Sequence, residues 1–394
     1  MKYHQSVFSD EAKLDINYIP NHLPHREKEY RLLMEFFSFL TKFPDRMSQR
    51  VIVTGDIGTG KTALCHRFGA DIVSDARKRS IDLRYVHVNC REYRGKFSLI
   101  LQNAVTVLKP TFPKRGFSSE EILNTLLQTL DETNSFMILT LDEFDSLIEA
   151  EGSDAVYSLT RLQEMRTTKP QRISLICIMR DLRPTERLDP SAKSTLQRNV
   201  IKLEKYSKIQ LQDILSERTS LAFEPSSVPD DVIDLTADLA KGESGNARFA
   251  IELLWRAGKY ADAENLDLVT PECVRKAVSS IIPSLKKSEL DDLGLHEKLF
   301  LLGLSEVFIT TQKAYASMGE IEDAYEVACE EFEKSPVSHT QLWKYLQTQS
   351  KLGILKTEVS SKGQRGRTTL VYLPSISAEE LNKKLRESLA EGEI

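Results

Sequence analysis

The sequence has few of the features that mark exported, zinc-stabilised or membrane-embedded proteins. Its five cysteines stand singly, with no C-x-x-C pair: Cys65, Cys90, Cys177, Cys273 and Cys329. This spacing argues against a zinc ribbon or a disulfide framework and predicts reduced thiols in a cytoplasmic protein. No apolar run approaches the ~18 residues of a membrane helix, and the charged residues 1–15 do not resemble a signal peptide. We therefore expect a soluble chain that is not exported and does not contact membranes.

An overall excess of basic charge is also missing. The 394 residues include 53 Lys and Arg against 58 Asp and Glu, a net charge of −5. A protein that binds polyanions over its whole surface should be basic, so any nucleic-acid surface must be local. Residues 317–333 carry a net charge of −7, whereas residues 334–373 carry +6. A run of like charges is most often a solvated surface, so the position of these residues in the fold must show whether they form a nucleic-acid surface.

Apolar runs rich in β-branched residues alternate with helical stretches in the first half of the chain. They cover residues 50–54, 83–89, 136–141, 173–179 and 200–203. Strands that alternate with helices predict a parallel α/β sheet. From residue 206 to about 282 apolar residues recur at helical spacing, and a third unit begins after Leu293. We predict an α/β domain over 1–205, an all-helical domain over 206–285 and a third domain over 286–394.

A phosphate-binding motif lies between the first predicted strand and a predicted helix. Residues 55–62, GDIGTGKT, match G-x-x-x-x-G-K-[ST] in the structural context that this motif requires. Glycines let backbone N–H groups curl around phosphate oxygens, and the following helix directs its positive end at them. The side chain of Lys61 would reach the phosphates, and Thr62 could ligate Mg²⁺. The candidate nucleotide-binding residues are Gly55, Asp56, Ile57, Gly58, Thr59, Gly60, Lys61, Thr62 and Ala63.

Two carboxylates follow the third predicted strand, 136–141. Asp142 and Glu143 would lie at the carboxyl edge of the sheet, where ligands bind in open α/β folds. We expect Asp142 to orient the Mg²⁺ water shell and Glu143 to polarise an attacking water. Acids that merely begin a helix are the alternative, but a phosphate-binding loop about 80 residues upstream favours the catalytic interpretation.

Several longer segments carry a resemblance to a known family. They are YIPNHLPHREKE, GDIGTGKT, LTLDEFDSL, LDPSAKSTL, YSKIQLQDILSERTSLAF, GESGNARFAIELLWRAGKYA and SKGQRGRTTLVYL. Together they resemble archaeal replication initiators of the origin-recognition and cell-division-cycle type, which are AAA+ ATPases. The resemblance covers nearly the whole chain. It implies a P-loop AAA+ sheet domain, an all-helical lid and a C-terminal winged-helix domain, in agreement with the three predicted units.

The resemblance also implies roles for single residues. Arg248 matches the lid arginine that touches the γ-phosphate, and His25 and Arg26 match the segment that flanks the adenine. We also expect Tyr206, the first residue of the segment YSKIQL, to contribute to nucleotide binding. Arg198 lies near the position from which the family presents an arginine to a neighbouring subunit's nucleotide. An ordinary surface arginine remains an alternative for Arg198, and a loop that enters a helix remains one for His25 and Arg26.

Arg180 is a departure from the family's pattern. The family typically has asparagine at this strand end, where the amide helps to position the hydrolytic water. An arginine side chain cannot accept a hydrogen bond, although it could stabilise γ-phosphate charge. We therefore expect slow ATP hydrolysis, with ATP acting as a lasting state rather than as fuel.

Two segments could contact DNA. The third unit shows winged-helix order, with predicted helices at 293–308, 320–332 and 340–352 and a hairpin at 354–359 and 368–373. Its presumed recognition helix suits a major groove, and its basic hairpin tip suits phosphates or the minor groove. The second segment, residues 109–117, interleaves basic and aromatic residues, although a plain surface loop is an alternative. The candidate DNA-binding residues are Thr340, Gln341, Lys344, Lys362, Arg365, Arg367, Lys114 and Arg115.

Taken with these patterns, the resemblance implies an ATP-regulated protein that binds double-stranded DNA at a replication origin. It would use ATP or ADP with Mg²⁺, act beside other initiator subunits, help to recruit the replicative helicase and lie in the cytoplasm on the nucleoid. The alternatives are a clamp-loader-like motor, a signalling ATPase whose winged helix binds protein, and an initiator-like paralogue that acts as a repressor or accessory binder.

Overall fold

The chain divides into two compact units. The structure is a computed structural model and describes residues 6–113, 116–161, 170–196, 199–281, 290–359 and 369–391. The unit that we call the sheet unit consists of Ile19–Tyr206 and Gly245–Ala247. The helical unit contains the chain up to Tyr18, Ser207–Ser244 and the chain from Arg248 onward. None of the described helices combines the length and the apolar character that a membrane-crossing segment requires.

Parallel strands form the centre of the sheet unit, in the order β2-β3-β4-β1-β5. Every residue of β3 and β4 is buried, as expected for strands covered on both faces. The predicted parallel sheet is confirmed, and only the ends of β3 and β5 differ, by one residue each. The strands are β1 Arg50–Thr54, β2 Leu83–Asn89, β3 Phe136–Asp142, β4 Ile173–Met179 and β5 Val200–Lys202.

Helices cover the two faces of this sheet as separate layers. Among the described helices, the first two pack on one face through an apolar cluster that includes Leu33, Phe37, Leu64 and Phe68, and the following four pack on the opposite face. Because all five strands are parallel, the carboxyl ends of β1 and β3 meet at one edge of the sheet. The helices are α1 Glu27–Phe37, α2 Lys61–Lys78, α3 Phe97–Leu108, α4 Ser119–Glu132, α5 Asp145–Thr160 and α6 Pro190–Leu196.

The helical unit begins with four helices that we call the lid helices. Ser207 caps the first of them, because its hydroxyl accepts from the Gln210 N–H while the Gln210 side chain accepts from the Ser207 N–H. The N-terminal segment packs on the same helix: Arg218 donates to the carbonyl oxygens of Lys13 and Tyr18 at 2.8 and 3.1 Å. The sequence patterns did not predict this packing. The lid helices are α7 Lys208–Ala222, α8 Asp230–Gly242, α9 Ala247–Ala263 and α10 Pro271–Ile281.

The rest of the helical unit is a winged helix, as the resemblance implies. Its antiparallel sheet has the order β6-β8-β7. The helices and the hairpin lie within a few residues of their predicted positions, whereas β6 and α14 were not predicted. The elements are α11 Leu295–Thr311, β6 Ala316–Ser317, α12 Met318–Glu331, α13 His339–Lys351, β7 Lys356–Val359, β8 Thr369–Tyr372 and α14 Ala378–Glu391.

A buried cluster of charged and polar groups joins the lid helices to the winged helix within the helical unit. The Lys208 ammonium lies 2.7 Å from the Asp238 carboxylate and 3.0 Å from that of Glu358 on β7. The Tyr315 hydroxyl donates to the same Asp238 carboxylate. The side chain of Asp238 is only 2% exposed. A carboxylate buried this deeply requires its cation and its hydroxyl donor, so the cluster holds strand β7 against α7 and α8.

We expect Lys208→Met to destabilise the protein by about 3 kcal/mol, because it leaves the Asp238 carboxylate buried without its cation. Lys241→Met is the matched control. Lys241 is 54% exposed and lies 3.7 Å from Glu358, so its loss should cost no more than about 0.5 kcal/mol. Urea unfolding followed by circular dichroism measures both variants. Equal midpoints for the two would contradict a structural role for the Lys208 cluster.

Candidate nucleotide site and nucleic-acid interface

The phosphate-binding motif forms a loop between β1 and α2 in the sheet unit. The Lys61 ammonium donates to the carbonyl oxygens of Gly55 and Asp56 at 2.6 and 2.8 Å, so its charge lies within the curve of the loop. The Thr59 hydroxyl donates to the Asp56 carbonyl at 2.9 Å. The loop leads directly into α2, whose first-turn N–H groups have no partner within the helix. Such a loop is an anion-binding site.

Two positions of the loop, Gly58 and Gly60, have backbone conformations that favour glycine. Gly58 and Gly60 have φ of 76° and 90°, in the region that side chains disfavour. A Cβ atom on Gly58 would also overlap the Asn246 side chain. The Ala247 N–H donates to the Gly58 carbonyl at 3.2 Å. The segment Gly245–Ala247 is therefore part of the site, although the chain returns to it almost 200 residues after the loop.

The acidic pair lies at the end of β3, as predicted. Thr62 Oγ1 donates to Asp142 Oδ2 at 2.7 Å, which joins the first turn of α2 to the strand end. Burial acts to raise the pKa of Asp142, but hydrogen bonds from His87, Thr62 and the Glu143 N–H lower it below its ordinary value. Asp142 is therefore an ionised carboxylate. Because the Thr62 hydrogen is directed at Asp142, the lone pairs of Thr62 Oγ1 remain to accept a cation.

Glu143 has an unusual backbone conformation. Its φ is 50°, which is uncommon for a residue other than glycine and costs on the order of 1 kcal/mol. Its N–H donates to Asp142 Oδ1 at 2.9 Å, and the following residue, Phe144, donates to the Ile178 carbonyl on β4. These contacts turn the chain sharply after β3, and they place both carboxylates at the edge of the sheet.

Arg180, which departs from the family's pattern, is engaged with the phosphate-binding loop. Its Nε lies 3.3 Å from Asp56 Oδ1, and Lys205 Nζ lies 3.2 Å from Asp56 Oδ2. The hydrogen bond from Lys205 lowers the pKa of Asp56, burial opposes this, and Arg180 adds to the lowering. Arg180 is thus at the rim of the loop and paired with an acid.

Arg26 braces the loop from inside the protein. The residue is 3% exposed, and its guanidinium donates to the carbonyl oxygens of Thr59, Glu204 and His25. The guanidinium also stacks on the Tyr206 ring, with its central carbon 3.9 Å from the ring centroid. The contacts with Thr59, Glu204 and Tyr206 hold separate parts of the chain around the loop. The predicted adenine contacts of His25, Arg26 and Tyr206 stay predictions.

Arg248 is exposed in the first turn of α9 and follows Ala247 directly in the chain. Its predicted contact with a γ-phosphate stays a prediction. Six other candidate residues lie outside the described part of the chain: Arg198, Lys114, Arg115, Lys362, Arg365 and Arg367.

The predicted recognition helix is α13 of the winged helix. It buries Leu342, Leu346 and Gln349 against the core and leaves Thr340 and Lys344 exposed, with Gln341 half-buried next to them. No acidic residue occurs between His339 and Lys351. This helix therefore has a polar and basic outer face, which suits the major groove of DNA.

A hydrogen-bonded chain holds the first turn of α13. Trp343 Nε1 donates to His339 Nε2 at 2.8 Å, and His339 Nδ1 lies 2.7 Å from Glu322 Oε2 on α12. Because an indole nitrogen only donates, His339 Nε2 is the acceptor in that contact. The acidic helix α12 thus holds the start of α13 through His339.

Sequence reasoning missed His87, Lys205 and Asn246, which contact Asp142, Asp56 and the loop. His87 could have been found from the sequence, because it lies on a predicted strand two residues before the carboxyl end of that strand. Asn246 lies in the segment GESGNARF that carries the family resemblance, but that resemblance assigned a role only to Arg248. Lys205 has no local pattern that distinguishes it from a surface residue.

A phosphate-binding loop after β1 and an acidic pair at the end of β3 define a P-loop nucleotide-binding module, and the family models assign it to the AAA+ class. The family model of the AAA domain matches residues 46–185. The Cdc6 AAA+ ATPase-type lid domain matches residues 212–279, and the Cdc6 C-terminal winged helix domain matches residues 288–383.

The chain belongs to the archaeal Orc1/Cdc6 family of AAA+ replication initiators. It is 35% identical to the ORC1-type DNA replication protein 2 of Sulfolobus acidocaldarius, over 99% of this chain and 96% of that protein. The crystal structure of Cdc6p from Pyrobaculum aerophilum matches with a TM-score of 0.85 and 28% identity, over 98% of this chain and 100% of that one. The structure of Aeropyrum pernix ORC1 in complex with DNA matches with a TM-score of 0.64 and 29% identity, over 98% and 97% of the two chains.

We expect Gly58→Ala to weaken ADP binding at least about tenfold, because its Cβ would overlap Asn246 and force the loop away from the segment Gly245–Ala247. Gly353→Ala is the matched control. Gly353 has the same φ of 76°, but nothing lies within 4 Å of its Cβ position. Both variants therefore bear the cost of positive φ, and only one disturbs the loop. Isothermal calorimetry with ADP measures the affinities, and equal values for the two variants would contradict this account of the loop.

Proposed function

We propose that the chain is an ATP-controlled initiator that binds double-stranded DNA selectively at a replication origin and helps to recruit the replicative helicase. The observation that carries this proposal is the exposed polar and basic face of α13 in a chain that also holds a P-loop and an acidic pair. Similarity to a solved initiator in complex with DNA supports it. We also propose that the chain acts on the nucleoid beside other initiator subunits.

DNA contact in this proposal has a selective and a non-selective part. The Gln341 amide can bind adenine in a bidentate manner, and the neighbouring Thr340 hydroxyl can reach a base edge or a phosphate. The Lys344 ammonium supplies a phosphate contact, which adds affinity without base preference. Further phosphate contacts would come from the wing residues Lys362, Arg365 and Arg367 and from Lys114 and Arg115.

ATP or ADP with Mg²⁺ is the proposed ligand of the sheet unit. The loop residues 55–63 and Lys61 would hold phosphates, while Thr62 and Asp142 offer the oxygen atoms that Mg²⁺ prefers. When bound, the metal neutralises charge on the phosphates. Glu143 would orient water, Arg248 would sense the γ-phosphate, and Arg198 would serve a neighbouring subunit's nucleotide. We propose domain limits of 1–205, 206–285 and 286–394 for these roles.

Slow hydrolysis is part of this proposal. Arg180 has no acceptor for a water hydrogen, and its guanidinium is paired with Asp56. A water oriented by Glu143 alone would be placed less well than one held by two acceptors. ATP would then mark a lasting state of the protein, and the exchange of nucleotide would change that state.

We expect Lys344→Ala and Gln341→Ala to fail in different ways. Lys344→Ala should weaken binding to all duplexes and reduce the slope of log K against log salt by about one. Gln341→Ala should lose roughly 1–3 kcal/mol of discrimination at one or two base positions. Fluorescence anisotropy over a salt series measures both, on a footprinted genomic site and on its scrambled version.

Lys78→Ala is the control for that experiment, because Lys78 is an exposed lysine of the sheet unit, paired with Asp75. It should bind DNA as the wild type does. Absence of duplex binding by the wild type would sink the proposal and favour the alternative in which the winged helix binds protein.

We expect wild-type ATP turnover well below ~10 per second and no further loss in Arg180→Asn, because asparagine restores an amide acceptor. Arg183→Asn is the control, since Arg183 is exposed and pairs with Asp181, two positions before it in the chain. Glu143→Gln should bind ATP and not hydrolyse it. Steady-state phosphate release and calorimetric ATP binding measure these effects. Rapid wild-type hydrolysis that Arg180→Asn abolishes would show instead that the arginine takes part in catalysis.

A further inference from the structure

A half-buried histidine of β2, His87, contacts the carboxylate of Asp142. His87 Nε2 lies 3.2 Å from Asp142 Oδ2, and the two side chains are only 13% and 9% exposed. The same Oδ2 accepts from Thr62 at 2.7 Å, and Oδ1 accepts from the Glu143 N–H at 2.9 Å. Asp142 therefore receives hydrogen bonds from three separate elements, and His87 provides the one from the neighbouring strand.

Strand register explains why His87 reaches this carboxylate. Asn89 pairs with Asp142 and His87 pairs with Thr140 across the parallel strands β2 and β3. Residues two apart in a strand share a face, so His87 lies on the face of β2 that also carries Asn89. On β3 the same rule puts Thr140 and Asp142 on one face. His87 thus lies two residues before Asn89, the residue that pairs with Asp142 at the end of β3.

The orientation of the His87 ring is determined by its neighbours. An ionised carboxylate only accepts, so His87 Nε2 carries the hydrogen in its contact with Asp142. The other ring nitrogen, Nδ1, lies 3.4 Å from the Tyr85 hydroxyl. The ring of His66 on α2 stacks on His87, with centroids 4.0 Å apart and planes 18° apart. Little freedom remains for the histidine ring.

We propose that His87 is a positioning residue that orients the Asp142 carboxylate for Mg²⁺. This inference rests on the proposed Mg²⁺–nucleotide site. Partners in the outer shell of a metal ligand orient that ligand, and their loss typically lowers metal affinity 10- to 100-fold. Without His87, Thr62 would be the only side-chain donor to Oδ2 among the residues that the structure describes, and the carboxylate could rotate away from the edge of the sheet.

The experiment separates the N–H donor from the packing of the ring. His87→Phe keeps an aromatic ring against His66 but cannot donate. We expect it to weaken Mg²⁺ binding to the protein–ADP complex about 10- to 100-fold in a calorimetric Mg²⁺ titration, with ADP affinity in EDTA unchanged. His87→Gln retains an N–H donor and should recover part of the loss. His66→Phe preserves the stacking and should bind Mg²⁺ within twofold of the wild type.

The outcomes distinguish this inference from the proposed function. A wild type whose ADP binding does not depend on Mg²⁺ would overturn the metal role of Thr62 and Asp142. A Mg²⁺-dependent wild type with unchanged Mg²⁺ affinity in His87→Phe would overturn the role of His87 alone. Thermal unfolding checks each variant, and His87→Ala is judged by the same criteria if His87→Phe does not fold. Equal losses in His87→Phe and His66→Phe would show that the histidine pair acts by packing, which also overturns the proposal.

Discussion

The hydrogen bond between Thr62 and Asp142 joins the two chain segments on which the nucleotide site depends. The two residues are 80 positions apart, and β4 lies between β1 and β3 in the sheet. Only the common carboxyl edge of the parallel strands brings the start of α2 to the end of β3. The remaining contacts are arranged around this bond. Arg26 donates a hydrogen bond to the Thr59 carbonyl of the loop, and His87 on the adjacent strand contacts the Asp142 carboxylate.

The phosphate-binding loop contains an acidic side chain, Asp56, that is paired with two basic residues. An acidic residue, Asp56, stands in a loop whose amides favour anions, and a carboxylate there opposes phosphate binding. Lys205 and Arg180 pair with it and offset its charge. Arg180, directly after β4, and Lys205, after β5, are thus held at the loop by the same acidic side chain.

Buried polar contacts determine how the winged helix is held on the lid helices. Lys208 and Asp238 connect with Glu358 on the wing strand, and Arg275 of α10, fully buried, donates to the Ala314 carbonyl at 3.1 Å. Such groups tolerate few alternative arrangements, because each displaced partner leaves a buried charge unpaired. Strand β7 of the winged helix is therefore held against the lid helices by contacts that do not rearrange easily.

Local patterns in the sequence determined the strands, the lid helices, the phosphate-binding loop and the acidic pair, because burial periodicity and motif spacing are expressed within single segments. They did not determine the two-residue strand β6, which depends on hydrogen bonds from β8 more than 50 residues later. The sequence also showed that Arg180 was unusual, but not that it pairs with Asp56, 124 positions away, or that His87 reaches Asp142 across 55 positions. Only strand order and register decide such partners, since a local pattern indicates which face of an element is buried and not which residue it will meet there.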